Sequence, residues 1–217
     1  MRQLILDLQP VNPPSLDNFV VGANAETMAA LCAWLGGARN DTVFNLHGES
    51  GCGRSHLLLA SGFEYIDAND HPALQDITDT AQLAVDNVDS LNAEGQIALF
   101  THFNRLKMMA GRLLTAGAQP PAHLALREDL RTRLGSGLIY RLQPLSDAEK
   151  AEAIAAQARE RALKLSPEAI NYLLRHAPRD MRTLSAFIVA LDRYTLEHKR
   201  AVTLPLLREL LTLETTA

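Results

Sequence analysis

Three features of the 217-residue sequence predict an α/β fold, a base domain on a mainly parallel five-stranded sheet followed by a small all-helical lid. Short apolar runs alternate with helix-like stretches through the first part of the chain. A Gly-rich loop from Gly48 to Ser55 follows the first apolar run and leads into a helix. From Ser146 onward the pattern is helical only. Strands that alternate with helices form βαβ units, and their crossovers impose parallel pairing.

The elements follow in order. Residues 1–14 alternate apolar and polar as far as Leu8 and then meet Pro10, Pro13 and Pro14, which predicts an extended tail on a stiff connector. Asn24 before AETMAALCAWL has the cap residue and spacing of a short amphipathic helix ending at Gly36-Gly37. TVFNLHG is a strand entering the Gly-rich turn, and SHLLLASG a brief helix. FEYID and AQLAVDNVD are the second and third strands, a helix runs from Ala93 to about Met109, and RLLTAG is the fourth strand, stopped at Gln119-Pro120-Pro121. After a helix around LREDLRTRL, GLIYRLQ supplies the fifth strand. Ser146 and Glu149 then form a capping box before DAEKAEAIAAQARERALKL, and Ser166-Pro167 starts a second lid helix. A third runs from near Asp180 to about Arg200, and Thr203-Leu204-Pro205 opens a fourth. The expected divisions are residues 1–14 for the tail, 15–143 for the base and 144–217 for the lid.

Composition narrows the function. With 47% hydrophobic and 21% charged residues the chain is an ordinary folded protein, and 5% aromatics leave the core to aliphatic residues and Ala. A net charge of −4 removes the general attraction that supplies most non-specific DNA affinity. Cys32 and Cys52 show neither a disulfide framework nor zinc-ligand spacing. No apolar run approaches a membrane span, and MRQLILDLQP is too short and acidic for a signal peptide, so a cytoplasmic location is expected.

The loop Gly48-Glu49-Ser50-Gly51-Cys52-Gly53-Arg54-Ser55 fits the phosphate-binding pattern G-x-x-x-x-G-K-[ST] except for Arg54 in place of Lys. Such a cradle needs glycines so that backbone N–H groups converge, a cation for the β-phosphate and a hydroxyl for Mg²⁺. Gly51 and Gly53 shape the loop, Arg54 supplies the cation as a planar fork instead of a compact ammonium, and Ser55 supplies the hydroxyl. Thirty residues on, the strand ending at Asp86 delivers a carboxylate where a metal-side Asp belongs. The next residue is Asn87, which cannot take a proton from water as a carboxylate can.

The segments LDNFVVGANAETMAAL, GESGCGRSHLL, LAVDNVDSL, LREDLRTRLGSGLIYRLQPLSDAEK and RDMRTL occur in the order found in the DnaA-homologous AAA+ family, which the chain resembles over nearly its whole length. Three features favour a regulatory member over the initiator DnaA itself. They are Arg54-Ser55-His56, the pair Asp86-Asn87, and Gln3-Leu4-Ile5-Leu6-Asp7-Leu8 at the N-terminus. No basic helix-turn-helix follows the lid, so direct sequence-specific DNA binding is not expected.

The resemblance implies binding of an adenine nucleotide, ADP ahead of ATP, with Mg²⁺ held by Ser55 and Asp86. It implies a pocket made by Asn18 and Phe19 together with Gly48, Gly51, Cys52, Gly53, Arg54, Ser55 and His56, although His56 reads most simply as a packing or capping residue. Arg182 would be a lid arginine touching this chain's own phosphates, and Arg133 an arginine finger acting in trans on a neighbour's nucleotide. Gln3, Leu4, Leu6 and Leu8 resemble the peptide that binds the sliding clamp, the β subunit of DNA polymerase III. The partner acted on would be DnaA in its ATP form, with a homodimer as a further assembly, and no membrane is involved. Together these imply a negative regulator of replication initiation with weak or absent ATPase activity of its own. An autonomous ATPase and a non-catalytic replication adaptor or loader are the alternatives. A polar sensor is expected near Ala118 and a basic residue near Gln119; neither is present, and the stretch between the loop helix and the Asp86 strand is short for the family.

Overall fold

Five short strands form one parallel sheet, and the three central ones are mostly apolar and buried, because a strand buried on both faces must be apolar almost throughout. The computed structural model describes residues 13–75, 77–78, 80–177, 180–198 and 202–208. These fall into two compact units, one spanning Pro14–Pro144 and the other beginning at Leu145.

In the first unit the strands are β1 (Val43–His47), β2 (Glu64–Asp67), β3 (Gln82–Asp86), β4 (Arg112–Gly117) and β5 (Leu138–Arg141), arranged β2-β3-β4-β1-β5. Every pair is parallel, with Asn45 opposite Thr115, Asp67 opposite Asp86 and His47 opposite Arg141. The helices are α1 (Ala25–Leu35), α2 (Arg54–Ala60), α3 (Ala93–Met108) and α4 (Glu128–Gly135). Alternation along the strands sends Val43, Leu83, Val85 and Leu113 to one face, where they pack with Leu99, Phe103, Leu106, Leu130 and Leu134 of α3 and α4. Phe44, Leu46, Ala84 and Leu114 face the other way, against Met28, Leu31 and Trp34 of α1 and Leu57 and Leu58 of α2. The result is a three-layer α/β base whose strands end together at one edge, where open α/β sheets place their ligands.

The second unit contains α5 (Asp147–Glu160), α6 (Pro167–His176) and α7 (Met181–His198), and residues 204–208 are also helical. Ile154, Leu173, Phe187, Leu191 and Leu207 form its core. The Ser146–Glu149 capping box is present on α5, and Ser166 and Asp180 cap the next two helices through their side chains.

Two expectations fail locally. The helix read from Asp147 through Leu165 stops at Glu160, because Ala162 turns left-handed at φ 55°. The Leu163 N–H bonds back to the Ala158 carbonyl at 2.8 Å and that of Ala162 to Arg159 at 3.0 Å, a Schellman stop without its usual glycine. Leu163 is thereby turned into the helical core. Asn24, placed as the side-chain cap of α1, makes no cap bond. Its carboxamide instead pairs with the backbone of Gln143, donating to the carbonyl at 3.0 Å and accepting from the N–H at 2.7 Å. The start of α1 is thus pinned to the chain just past β5.

Candidate nucleotide site

The loop between β1 and α2 forms the centre of the site. Gly51 and Gly53 have φ of 78° and 101°, left-handed conformations that admit glycine without strain. At Gly53 space matters too, since a Cβ there would come within 2.6 Å of Phe19 Cε2. Phe19 therefore lies directly on the loop, and its ring is 5.5 Å from that of His56 in α2. His56 Nε2 contacts the Ser15 carbonyl at 2.9 Å, so this side chain fastens residues 15–19 to α2. The Asn18 carboxamide accepts from the Ser15 N–H at 2.9 Å and closes the turn that presents Phe19. The Cys52 side chain is buried against Gly48, and burial raises its thiol pKa.

Arg54 opens α2, and its Nη1 is buried without a hydrogen-bond partner. A buried guanidinium nitrogen in that state is one acceptor short, and a phosphate oxygen is the acceptor that such a fork suits. Nearby, His47 at the end of β1 is held below the usual imidazole range, first by burial and then by the positive charges of Arg141, Arg54 and His123. Cations therefore gather beside the end of β1.

Asp86 ends β3 and is completely buried. Its Oδ1 accepts the Asn87 N–H at 2.8 Å, and its Oδ2 accepts the Tyr65 hydroxyl at 3.2 Å. Ser55, in the first turn of α2, lies near the same hydroxyl. Burial, together with the charges of Asp86 and Asp67, pushes the Tyr65 pKa well up and keeps the phenol protonated. A buried carboxylate served by neutral donors fits Mg²⁺, which takes one or two protein oxygens beside phosphates and waters. Ser55 and Asp86 are the residues that would hold it.

Asn87 sits at φ 51°, ψ 46°, and its side chain donates to Asp67 Oδ1 at 2.8 Å. The group that follows the metal-side carboxylate is therefore an amide already engaged with β2. At the end of β4, Ala118 and Gln119 are exposed, and the Ala118 N–H is held by Asp89 Oδ1 at 3.2 Å.

The sheet brings Phe19, Gly48, Gly51, Cys52, Gly53, Arg54, Ser55, His56 and Asp86 around one loop. Tyr65 belongs with them and was not singled out in the sequence, where an aromatic in a short strand reads as core. Arg133 lies elsewhere, in the last turn of α4, exposed, with its guanidinium carbon 5.9 Å from the centre of the Phe103 ring. Arg182 is exposed in the first turn of α7. Gln3, Leu4, Leu6 and Leu8 lie outside the described residues.

Residues 147–211 match the family described as the Hda lid domain. The helical unit is therefore similar to the lid domain of Hda. The Hda match covers the helical unit alone, whereas the solved structures that resemble the chain speak to its fold. Domain III of the Thermotoga maritima replication initiation protein DnaA superimposes with a TM-score of 0.70 at 21% identity, covering 94% of this chain and 97% of that one. AMPPCP-bound DnaA from Aquifex aeolicus gives 0.65 at 22% identity over 88% of this chain and 71% of its own. The Holliday-junction branch migration motor RuvB of Thermotoga maritima gives 0.64 at 18% identity, over 94% and 73%. Among the described residues no helix is long and apolar enough to cross a membrane.

Proposed function

We propose that this Hda-like chain is a clamp-tethered regulator that binds adenine nucleotide, ADP in its working state, and promotes hydrolysis of ATP held by DnaA. The observation that carries the reading is the pairing of an intact phosphate cradle with an amide in the water-activating position. Arg54 has a buried nitrogen in need of an acceptor, while Asn87 is committed to Asp67. Such a site binds a nucleotide well and turns it over poorly. The AMPPCP bound by the similar DnaA of Aquifex aeolicus supports the same ligand class.

When bound, Mg²⁺ would supply positive charge to the nucleotide phosphates. The chain's own residues do the remaining work. Gly51 and Gly53 let the loop backbone face the phosphates, Arg54 engages them, Ser55 and Asp86 present oxygens, and Phe19 offers an apolar ring beside the loop for the base. Arg182 stands in the first turn of a helix, where a cation opposes the helix dipole unless it has an anion to serve. We assign it to this chain's own phosphates.

The hydrolytic contribution comes from Arg133. It is exposed and rests its guanidinium on Phe103, so it is presented in an ordered way and remains available to a neighbour. A finger in trans stabilises charge developing on the transferred phosphoryl and is worth about 10³ to 10⁵ in rate in P-loop systems. Gln3, Leu4, Leu6 and Leu8 bring the protein to the clamp, and changing Gln3 and Leu4 to Ala abolishes clamp retention without lowering the melting temperature. The nucleotide assignment is tested by calorimetry with ADP and ATP, together with a steady-state turnover assay on the protein alone. Binding with negligible turnover supports it; absence of binding, or fast turnover, overturns it.

A further inference from the structure

The proposed nucleotide site contains a side chain with no part in the reading above. Tyr65, on β2, reaches across to the end of β3 and engages one of the two oxygens assigned to the metal. Its hydroxyl donates to Asp86 Oδ2 at 3.2 Å, with Ser55 nearby. The register explains how it gets there. Asp67 and Asp86 are opposite one another, so Tyr65 lies opposite Ala84, two residues before the carboxylate and on the same face of the sheet. Its ring packs against the apolar cluster beneath α2, which fixes the direction of the hydroxyl.

We propose that Tyr65 is a metal-site gate: its hydroxyl occupies Oδ2 of Asp86 and must be displaced for Mg²⁺ to enter with the nucleotide. The inference rests on the proposed nucleotide site and deepens it. Asp86 is fully buried, so it needs donors at all times, and the phenol supplies one when no cation does. Metal entry therefore trades a hydrogen bond to a charged acceptor for a cation contact, and the gain from Mg²⁺ is reduced by the strength of that bond. The consequence is a protein that holds ADP nearly as well without Mg²⁺ as with it. Such a site suits a regulator that keeps its nucleotide and does not use the metal for turnover.

The test compares ADP affinity by calorimetry in EDTA and in saturating Mg²⁺, for the full chain and for Tyr65→Phe. In the wild type the two affinities differ little. In Tyr65→Phe the affinity in EDTA is unchanged, while the enhancement by Mg²⁺ rises about tenfold, the equivalent of one hydrogen bond to a charged group. Tyr65→Met, which also lacks the hydroxyl, gives the same rise, and adding Asp86→Asn to either variant abolishes it. The gate is ruled out if removing the hydroxyl leaves the Mg²⁺ enhancement unchanged or lowers it, since the phenol would then be passive or would help to hold the metal. A wild-type chain that binds no ADP in either condition removes the nucleotide site itself, and the gate falls with it. ADP binding with an unaltered response to Mg²⁺ removes the gate alone.

Discussion

The side chain of Asn87 donates to Asp67 Oδ1 at 2.8 Å, locking the ends of β3 and β2 together beside the buried carboxylate of Asp86. Asn87 also holds a left-handed backbone at φ 51°, a conformation that Asn tolerates better than most residues. Two contributions can therefore be separated by substitution. Asn87→Ala loses the hydrogen bond and takes on backbone strain, for a combined loss of roughly 2 kcal/mol. Asn87→Gly loses only the bond and is destabilised by about 1 kcal/mol less than the Ala variant. Urea denaturation measures both, and equal losses would show that the backbone at this position is unstrained.

Ala162 is a second strained position, and here a single change removes the strain. Its φ of 55° serves a helix stop that glycine normally occupies. Ala162→Gly stabilises the helical unit by about 0.5–1 kcal/mol, the left-handed penalty of Ala less the entropy that Gly adds to the unfolded chain. Thermal unfolding is the measurement, and a lowered midpoint would mean that the methyl group packs in a way that outweighs the backbone term.

His102 on α3 gives a pH dependence. It is buried, its Nε2 has no partner, and burial lowers its pKa below that of a free imidazole, with Glu64 opposing. A folded-state value below the unfolded one means that the unfolded chain binds the proton more readily. The stability that His102 contributes is therefore intact above about pH 6.5 and declines as the pH falls below that value. His102→Leu removes this slope. Its stability relative to wild type, measured by denaturant titration, is more favourable at pH 5.5 than at pH 7.5, and a pH-independent difference would contradict the account.

The parallel sheet and the phosphate loop were legible because each rests on local signals. Buried strands are short apolar runs, and the loop needs glycine at fixed spacing, which Gly51 and Gly53 supply with positive φ. The lid helices were legible from their caps, with Ser146, Ser166 and Asp180 all bonded as N-cap side chains. Contacts between distant segments were not. Asn24 is drawn from its expected capping role by Gln143, 119 residues away in sequence. Tyr65 reaches Asp86 only because β2 pairs with β3 in one register, and nothing in EYID distinguishes a phenol that serves a carboxylate from one that fills a core. The end of α5 was missed for a related reason. Ala162 carries no stop signal, and the turn is set by the burial of Leu163 in the helical core.

In the proposed function Arg133 acts on a partner's nucleotide and not on its own. The decisive measurement is the rate of hydrolysis of DnaA-bound ATP in a reconstituted mixture of DnaA–ATP, DNA-loaded clamp, and wild-type, Arg133→Ala or Arg182→Ala protein. A finger stabilises charge that develops only in the transition state, so its loss is felt in rate and not in ground-state binding. Arg133→Ala removes most of the stimulation while leaving folding, ADP affinity and clamp retention near wild type, whereas Arg182→Ala weakens the chain's own ADP binding first. Full stimulation by Arg133→Ala would contradict the trans-finger account and leave an adaptor acting through the clamp tail and a docking face.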